Sequence, residues 1–184
     1  MADPDDLETL LLGPVLADRD CGGCTACCVT LKVDTPDLQK PAGTPCPQLC
    51  PTGCSIHAER PTICRTWFCA WRRIAALPDE ARPDRSGLIV SVSFHREARH
   101  PFEAIALTVL ALPGSDAIAS GMAARVLDAI CDRPVAVWFS DSKRKMLMHP
   151  ENDVAELVLS GSAPPMHLAD EVAAWRAQYA AFLA

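Results

Sequence analysis

The sequence has no long hydrophobic run, no excess of basic charge and an acidic start. Its apolar runs fall short of the roughly 18 residues that a membrane-spanning helix needs, and the first residues do not resemble a secretory signal. The formal net charge is −6 at pH 7, which argues against binding nucleic acid through its phosphates. We therefore expect a cytoplasmic protein that binds neither membranes nor nucleic acid.

Motifs that identify common enzyme classes are also missing. The chain contains no phosphate-binding loop, no dinucleotide-binding glycine pattern and no nucleophile elbow of the serine hydrolases. Internal repeats and low-complexity segments are absent as well. These absences favour a binding protein over an enzyme, although they identify no partner.

What the chain has in excess is cysteine. Nine of its ten cysteines lie between residues 21 and 69, and the tenth, Cys131, stands alone. The nine are Cys21, Cys24, Cys27, Cys28, Cys46, Cys50, Cys54, Cys64 and Cys69. Thiolates are preferred ligands of zinc and of iron–sulfur clusters, and a reducing cytoplasm disfavours disulfides. The clustering therefore predicts a metal centre within residues 21–69.

The spacing leaves the kind and the number of centres open. Four cysteines complete a tetrahedral zinc site or hold a [4Fe–4S] cluster. Nine cysteines allow two such sites with one thiol left over, or one site plus free thiols. A helix beginning near Pro61 is predicted to run toward Pro78, and it would aim Cys64 and Cys69 in different directions. Either that helix is distorted or these two cysteines serve different centres.

Residues 21–75 resemble a known family. The pattern consists of CxxCxxCC, a loop of the Lys40-Pro41-Ala42-Gly43 kind, a later cysteine, and a Cys-x-Ile-x-x-x-Arg-Pro-x-x-Cys-Arg-x-x-x-Cys run that begins at Cys54. It is similar to the zinc- or iron-chelating cysteine-cluster proteins, also called CxxCxxCC or YkgJ-like, to which flagellin N-methylase is related. His57 stands where that family often has tyrosine, and Cys50 is a less regular feature.

The resemblance implies a metal-binding protein and a set of ligands. The positions that match the family pattern are Cys21, Cys24, Cys27, Cys28, Cys46, Cys54, Cys64 and Cys69. The expected cofactor is zinc or iron, with a [4Fe–4S] cluster as the alternative, and the role of His57 stays open. A metal-dependent redox or group-transfer enzyme is the second hypothesis, by analogy with the methylase. The metal-binding reading leaves the rest of the chain as a scaffold or as a docking surface for a protein partner.

Composition divides the chain near residue 80. We expect a cysteine-rich metal-binding region over 1–80 and an α+β domain over 81–184, in which helices pack on a mainly antiparallel sheet. Strands are predicted at 29–33, 87–94 and 102–112, followed by a hairpin of 135–140 with 143–149. Helices are predicted from Ser115 or Asp116 to about Asp132, and from Pro150 to near Gly161. A final helix should bury a stripe of apolar residues, namely Leu168, Val172, Trp175, Tyr179 and Phe182.

Overall fold

The computed structural model describes residues 4–95, 97–141 and 143–180, with side chains from residue 8 onward. Seven α-helices are seen within these residues: α1 (Pro4–Leu12), α2 (Ala26–Thr30), α3 (Thr62–Thr66), α4 (Pro83–Ser86), α5 (Met122–Asp128), α6 (Asn152–Ser160) and α7 (Ala169–Gln178). Eight strands accompany them: β1 (Val33–Thr35), β2 (Leu38–Lys40), β3 (Leu49–Cys50), β4 (Gly53–Cys54), β5 (Leu88–Phe94), β6 (Ile105–Ala111), β7 (Ala136–Ser140) and β8 (Lys145–His149).

The second half of the chain forms a four-stranded sheet in the order β5-β6-β7-β8. The outer pairs, β5 with β6 and β7 with β8, are antiparallel. The central pair, β6 with β7, is parallel, because the intervening α5 returns the chain to the starting edge of the sheet. The sheet is therefore mixed but mainly antiparallel, and the expected α+β class is confirmed.

Each face of this sheet is covered by different parts of the chain. Alternate residues of a strand point to opposite faces, so Leu107 and Ala106 belong to separate apolar clusters. Helices α6 and α7 cover the face of Ala106 with Val158, Val172 and Trp175 among others. The opposite face packs against α5, Leu12 of α1 and residues 70–81. The end of the cysteine-rich region thus contributes to the same core as the sheet.

The final helix, α7, buries the predicted stripe of apolar residues as far as the described residues extend. Val172, Trp175 and Tyr179 are almost completely buried, Leu168 packs against the same cluster, and Phe182 lies outside the described residues. The predicted strands at 87–94 and 102–112, the hairpin 135–140 with 143–149, and the helix after Pro150 are likewise found as β5, β6, the β7–β8 pair and α6.

Three predictions about elements were wrong. Residues 29–33 do not form one strand, because Leu31 donates its N–H to the Cys27 carbonyl and continues α2 before β1 begins. The β-branched residues Val29 and Thr30 favour a strand, but the helical hydrogen bonds of α2 determine the conformation of this segment. The helix predicted from Ser115 begins only at Met122, because Gly121 at φ 76° breaks it.

The helix predicted to run from Pro61 toward Pro78 ends at Thr66. Trp67 has extended backbone angles, and a short 3₁₀ turn, Ala70–Arg72, follows. The Arg19 guanidinium donates hydrogen bonds to the carbonyl oxygens of Trp71, Ile74 and Leu77. A continuous helix would satisfy these oxygens with its own N–H groups. The distortion that the sequence left open is therefore present between Cys64 and Cys69.

Candidate metal centre

A tight turn brings the first two cysteines together. The N–H of Cys24 donates to the Cys21 carbonyl oxygen at 2.8 Å, so the chain reverses over Gly22 and Gly23. Gly22 has φ 49°, a left-handed conformation that glycine adopts without steric cost. A Cβ at Gly22 would lie 3.2 Å from an Asp20 carboxylate oxygen. The turn is of the kind that presents two sulfurs to one side.

Cys24 and Cys69 lie where this turn meets the segments that enter the core. Burial raises the pKa of the Cys24 thiol, while backbone N–H groups of Ala26 and Asp84 hydrogen-bond to it and oppose that rise. Burial also raises the pKa of Cys69 to about 11, against hydrogen bonds from backbone groups of Arg72 and Trp71. Asp84 belongs to α4, so Cys24 contacts a helix that lies beyond residue 80 in the chain.

Four cysteines are neighbours at this position. Cys27 interacts electrostatically with Cys21 and Cys24, and Cys69 interacts with the same two thiols. The Arg72 guanidinium approaches the Cys21 sulfur at 3.9 Å, and Arg82 interacts with Cys24 while it forms a two-point ion pair with Asp84. We call this set the junction group: Cys21, Cys24, Cys27 and Cys69.

Helix α2 carries two adjacent cysteines, Cys27 and Cys28. Consecutive residues of an α-helix point about 100° apart, yet the thiols of Cys27 and Cys28 share a hydrogen bond. That hydrogen bond, helped by the Lys40 ammonium, lowers the pKa of Cys28 to about 6. The same bond and burial raise the pKa of Cys27.

The loop after β2 returns to α2 through backbone and lysine contacts. The Cys46 N–H donates to the Cys28 carbonyl oxygen at 2.9 Å, and the Gly43 N–H donates to that of Thr30. Lys40 is only 3% exposed, and its ammonium donates to the carbonyl oxygens of Val29, Pro41 and Thr44. Because these bonds hold the loop on the helix, Cys46 is placed beside Cys28.

A two-residue hairpin distinguishes Cys54 from Cys50. In the β3–β4 pair, Leu49 stands opposite Cys54, and Cys50 stands opposite Gly53. Directly opposed residues share a face and neighbours along a strand do not, so Cys50 and Cys54 lie on opposite faces. The Cys50 thiol contacts the Thr52 hydroxyl at 3.3 Å, and this bond lowers the pKa of Cys50.

Helix α3 supplies Cys64 to a second neighbourhood. Burial raises the pKa of Cys64, and Cys28, Cys46 and Cys54 raise it further by charge repulsion. Arg60 donates to the Cys64 carbonyl oxygen at 2.9 Å and opposes the rise in pKa. We call the set Cys28, Cys46, Cys54 and Cys64 the loop group.

His57 and Cys131 contact neither group through the hydrogen bonds of the structure. Both ring nitrogens of His57 lie near the Arg60 guanidinium, at 3.2 and 3.0 Å. Cys131 packs against the main apolar cluster, where burial raises the pKa of its thiol. The junction group and the loop group are thus electrostatic neighbourhoods that meet at the hydrogen bond between Cys27 and Cys28, and Cys50 and Cys131 are in neither.

Two cationic residues organise the region, and one of them, Arg19, was not singled out from the sequence. Arg19 donates to carbonyl oxygens of four residues between 71 and 77 and lies over the Trp71 ring at 5.0 Å. Lys40 holds the loop that carries Cys46. In the sequence Arg19 is an ordinary basic residue in polar surroundings, whereas Lys40 opens the Lys40-Pro41-Ala42-Gly43 loop of the family pattern.

The thiols are neighbours but are not arranged as ligands. Within residues 4–95, 97–141 and 143–180, no group of three or more His, Cys, Asp or Glu side chains is arranged so that it could hold a metal ion. All ten cysteines are free thiols. Rotation about χ1 between staggered wells redirects a cysteine sulfur without moving the backbone, so each set needs such rotations to converge.

The fold and the site define an α+β protein with a cysteine-rich region docked on its core. The described residues contain no helix that is both long and apolar enough to cross a membrane. Comparison with known proteins found no match: no family model, no curated protein and no solved structure is significantly similar to this chain.

Proposed function

We propose that this protein binds zinc or iron, or a [4Fe–4S] cluster, through the thiolates of its cysteine-rich region. The observation that carries the proposal is the clustering of nine of the ten cysteines between residues 21 and 69, eight of them at positions of the family pattern. Four thiolates complete a tetrahedral zinc site or ligate one cubane cluster. The resemblance to the zinc- or iron-chelating cysteine-cluster family supports the same reading of these eight positions.

The surroundings of the thiols suit the charge of such a centre. Arg72 and Arg82 lie beside the junction group, and Lys40 and Arg60 lie beside the loop group. Backbone N–H groups aimed at sulfur, as at Cys24 and Cys69, stabilise anionic thiolates and orient them. The bound metal supplies a structural cross-link if it is zinc and an electron-transfer centre if it is a cluster.

The wider assignment follows from this chemistry. We propose a cytoplasmic protein, because free thiolates persist in a reducing compartment, with neither nucleic acid nor membrane among its partners. The α+β domain then serves as a scaffold or as the docking surface for a protein partner. The two surface cavities identified lie between residues 147 and 168 and have no cysteine in their walls.

Metal analysis of protein purified without oxygen tests the proposal. We expect at least one equivalent of zinc or iron per chain, with a corresponding number of thiols protected from alkylation until the metal is removed. A brown protein that releases sulfide on acidification would identify a cluster, and a colourless protein with zinc would identify a structural site. Fewer than one equivalent of any transition metal, with all nine clustered thiols reactive, would refute metal binding.

A further inference from the structure

A shallow groove beside α6 leaves apolar side chains in contact with solvent. Two cavities of about 920 and 450 Å³ adjoin there, since Asp153 lines both. Of the seven large apolar side chains that are exposed among the described residues, four lie between 146 and 166: Met146, Met148, Leu159 and Met166. Exposed apolar side chains that gather around a concave surface mark an interaction site. We call the surface formed by residues 147–171 the α6 groove.

Helix α6 forms one wall of the groove with its solvent-facing side. Its buried residues are Val154, Ala155 and Val158. At 100° per residue, Asp153 and Glu156 lie on the opposite side of the helix. Leu157 and Leu159 flank these two carboxylates and line the larger cavity with them. Apolar and acidic side chains therefore share one solvent-facing strip of the helix.

Arg176 of α7 fixes the other wall of the groove from behind. Its guanidinium donates to the carbonyl oxygens of Leu157 and Ser162, both at 2.6 Å. The Ser160 hydroxyl donates to that of Ser162 at 2.9 Å, and Pro165 restricts the backbone that follows. The segment after α6 is thus held in place, and a preformed surface loses less conformational entropy when a partner binds.

The groove carries negative charge that no cation of the chain balances. Residues 146–175 include no lysine or arginine and five carboxylates, which are Glu151, Asp153, Glu156, Asp170 and Glu171. All five side chains are exposed, and among the described residues none of them forms an ion pair. The flanking cations are engaged elsewhere, Lys145 with the Glu103 carboxylate and Arg176 with carbonyl oxygens.

This combination of charge and apolar surface defines the chemistry of a partner. The carboxylates repel nucleic-acid phosphates and anionic lipid headgroups. A complementary surface presents cations around apolar side chains. An amphipathic basic helix has this form, because its apolar stripe is bordered by lysine and arginine.

We propose that the α6 groove is the docking site for a basic amphipathic helix of a partner protein. The apolar stripe of that helix packs on Leu157, Leu159 and Met148, and its cations face Asp153 and Glu156. The inference rests on the part of the proposed function that gives the α+β domain a docking role, and it does not depend on the metal.

A synthetic peptide serves as the probe of this docking site. It is a helix of lysine and leucine with leucine at positions i, i+3, i+4 and i+7, added to the full chain as purified without oxygen. Fluorescence anisotropy should show saturable one-to-one binding that weakens as salt is raised. Two control peptides, one with glutamate in place of lysine and one with serine in place of leucine, should bind at least about tenfold more weakly.

Matched variants of exposed residues test whether the groove is the site. Asp153→Asn with Glu156→Gln should weaken binding about tenfold. Asp79→Asn with Glu80→Gln removes the same charge from an exposed turn that packs on the opposite face of the sheet, and it should leave binding unchanged.

The apolar contribution has its own pair of variants. Leu159→Gln should weaken binding about fivefold. Leu10→Gln is the control, since Leu10 is 79% exposed on α1, which packs on the opposite face of the sheet. Equal effects of the two substitutions would contradict docking at the groove.

A measurement on the unmodified chain makes the result independent of the variants. Addition of the lysine–leucine peptide should shift backbone amide resonances within residues 147–171. Absence of saturable binding, equal binding of the serine-containing peptide, or shifts confined to other parts of the chain would overturn the inference. Sedimentation should show a monomer, and a dimer that Leu159→Gln dissociates would overturn it by making a second copy the occupant. Metal content measured on the same preparations distinguishes a failure of docking from a failure of metal binding.

Discussion

At the scale of single residues, cationic side chains replace the backbone hydrogen bonds that regular elements would supply. Arg19 and Lys40 together donate to seven carbonyl oxygens in segments that have little regular structure. Arg73 is 8% exposed and contacts the Gly13 carbonyl oxygen and the Glu8 carboxylate. Irregular backbone leaves carbonyl groups without partners, and these side chains satisfy them.

Arg19→Lys should destabilise the protein by roughly 1–3 kcal/mol, because an ammonium cannot reproduce the planar fork that reaches several carbonyl oxygens at once. Urea unfolding followed by tryptophan fluorescence measures the change. Arg65→Lys is the matched control, since exposed Arg65 makes one long hydrogen bond, 3.3 Å to the Thr62 hydroxyl. Equal effects of the two substitutions would show that the Arg19 contacts do not contribute.

Gly22→Ala should lower the free energy of unfolding by roughly 1–2 kcal/mol, the cost of a left-handed conformation for a residue with a Cβ. It should also speed the removal of metal by a chelator, because the Cys21–Cys24 turn would relax. Gly23→Ala is the control, since no atom lies within 4 Å of its added Cβ. A faster metal loss from the Gly23 variant than from the Gly22 variant would contradict this role for the turn.

At the scale of elements, the aromatic residues of α7 tie β8 and the 3₁₀ turn Pro101–Glu103 to one face of the sheet. Trp175 stacks on Tyr179 and contacts the Phe102 ring edge-on. His149 at the end of β8 lies 5.4 Å from the Trp175 ring. Burial lowers the pKa of His149, against the opposing effects of Glu171 and other nearby acids. The imidazole is therefore held neutral at the contact between β8 and α7.

Stability should fall as the pH drops below about 6.5, the ordinary pKa of histidine. The folded His149 resists protonation while the unfolded one accepts it, so the unfolded state binds more protons in this range and gains relative to the native state. Urea unfolding at pH 7.5 and pH 5 should show a larger loss for the wild type than for His149→Gln. His167→Gln, at an exposed site in the 3₁₀ turn Met166–Leu168, should behave like the wild type. An unchanged pH dependence in the His149 variant would refute this assignment.

At the scale of the whole molecule, we expect the cysteine-rich region to depend on the proposed metal and the sheet domain to be independent of it. Strands β1 to β4 are two or three residues long, and the main apolar cluster draws no buried residue from between 13 and 69. Apparent binding free energies at structural zinc sites are of order 10–16 kcal/mol, and they become folding free energy where no site is preformed. The sheet, in contrast, has apolar clusters on both faces.

Chelation of the metal should abolish amide protection over residues 21–69 and leave that of residues 87–180 largely intact. Segment 70–77, which packs in the core, should stay protected with the sheet. Hydrogen exchange read by mass spectrometry would show this difference, with Cys24→Ser combined with Cys64→Ser as an independent way to remove the metal. Equal loss of protection in both parts would mean that the chain folds as one unit, and the division near residue 80 would then be wrong.

Local periodicity in the sequence was sufficient for the elements of the sheet domain. β5, β6, the β7–β8 hairpin and the buried stripe of α7 follow from alternation and from 3.6-residue spacing, because these elements each bury one apolar face. Local periodicity was insufficient to predict the elements between residues 21 and 81. There the order of short elements is decided by hydrogen bonds between distant residues, such as those from Arg19 to residues 71–77, which no window along the chain contains.

By itself, the sequence determined that nine cysteines cluster between residues 21 and 69 and that the chain carries an α+β domain. Only the tertiary structure decided how those cysteines are directed. Cys27 and Cys28 are consecutive in α2 and share a hydrogen bond, and Cys64 and Cys69 are separated by the early end of α3. Sequence spacing reports distance along the chain, whereas a tetrahedral site depends on direction in space, and that direction is set by where α2 and α3 begin and end.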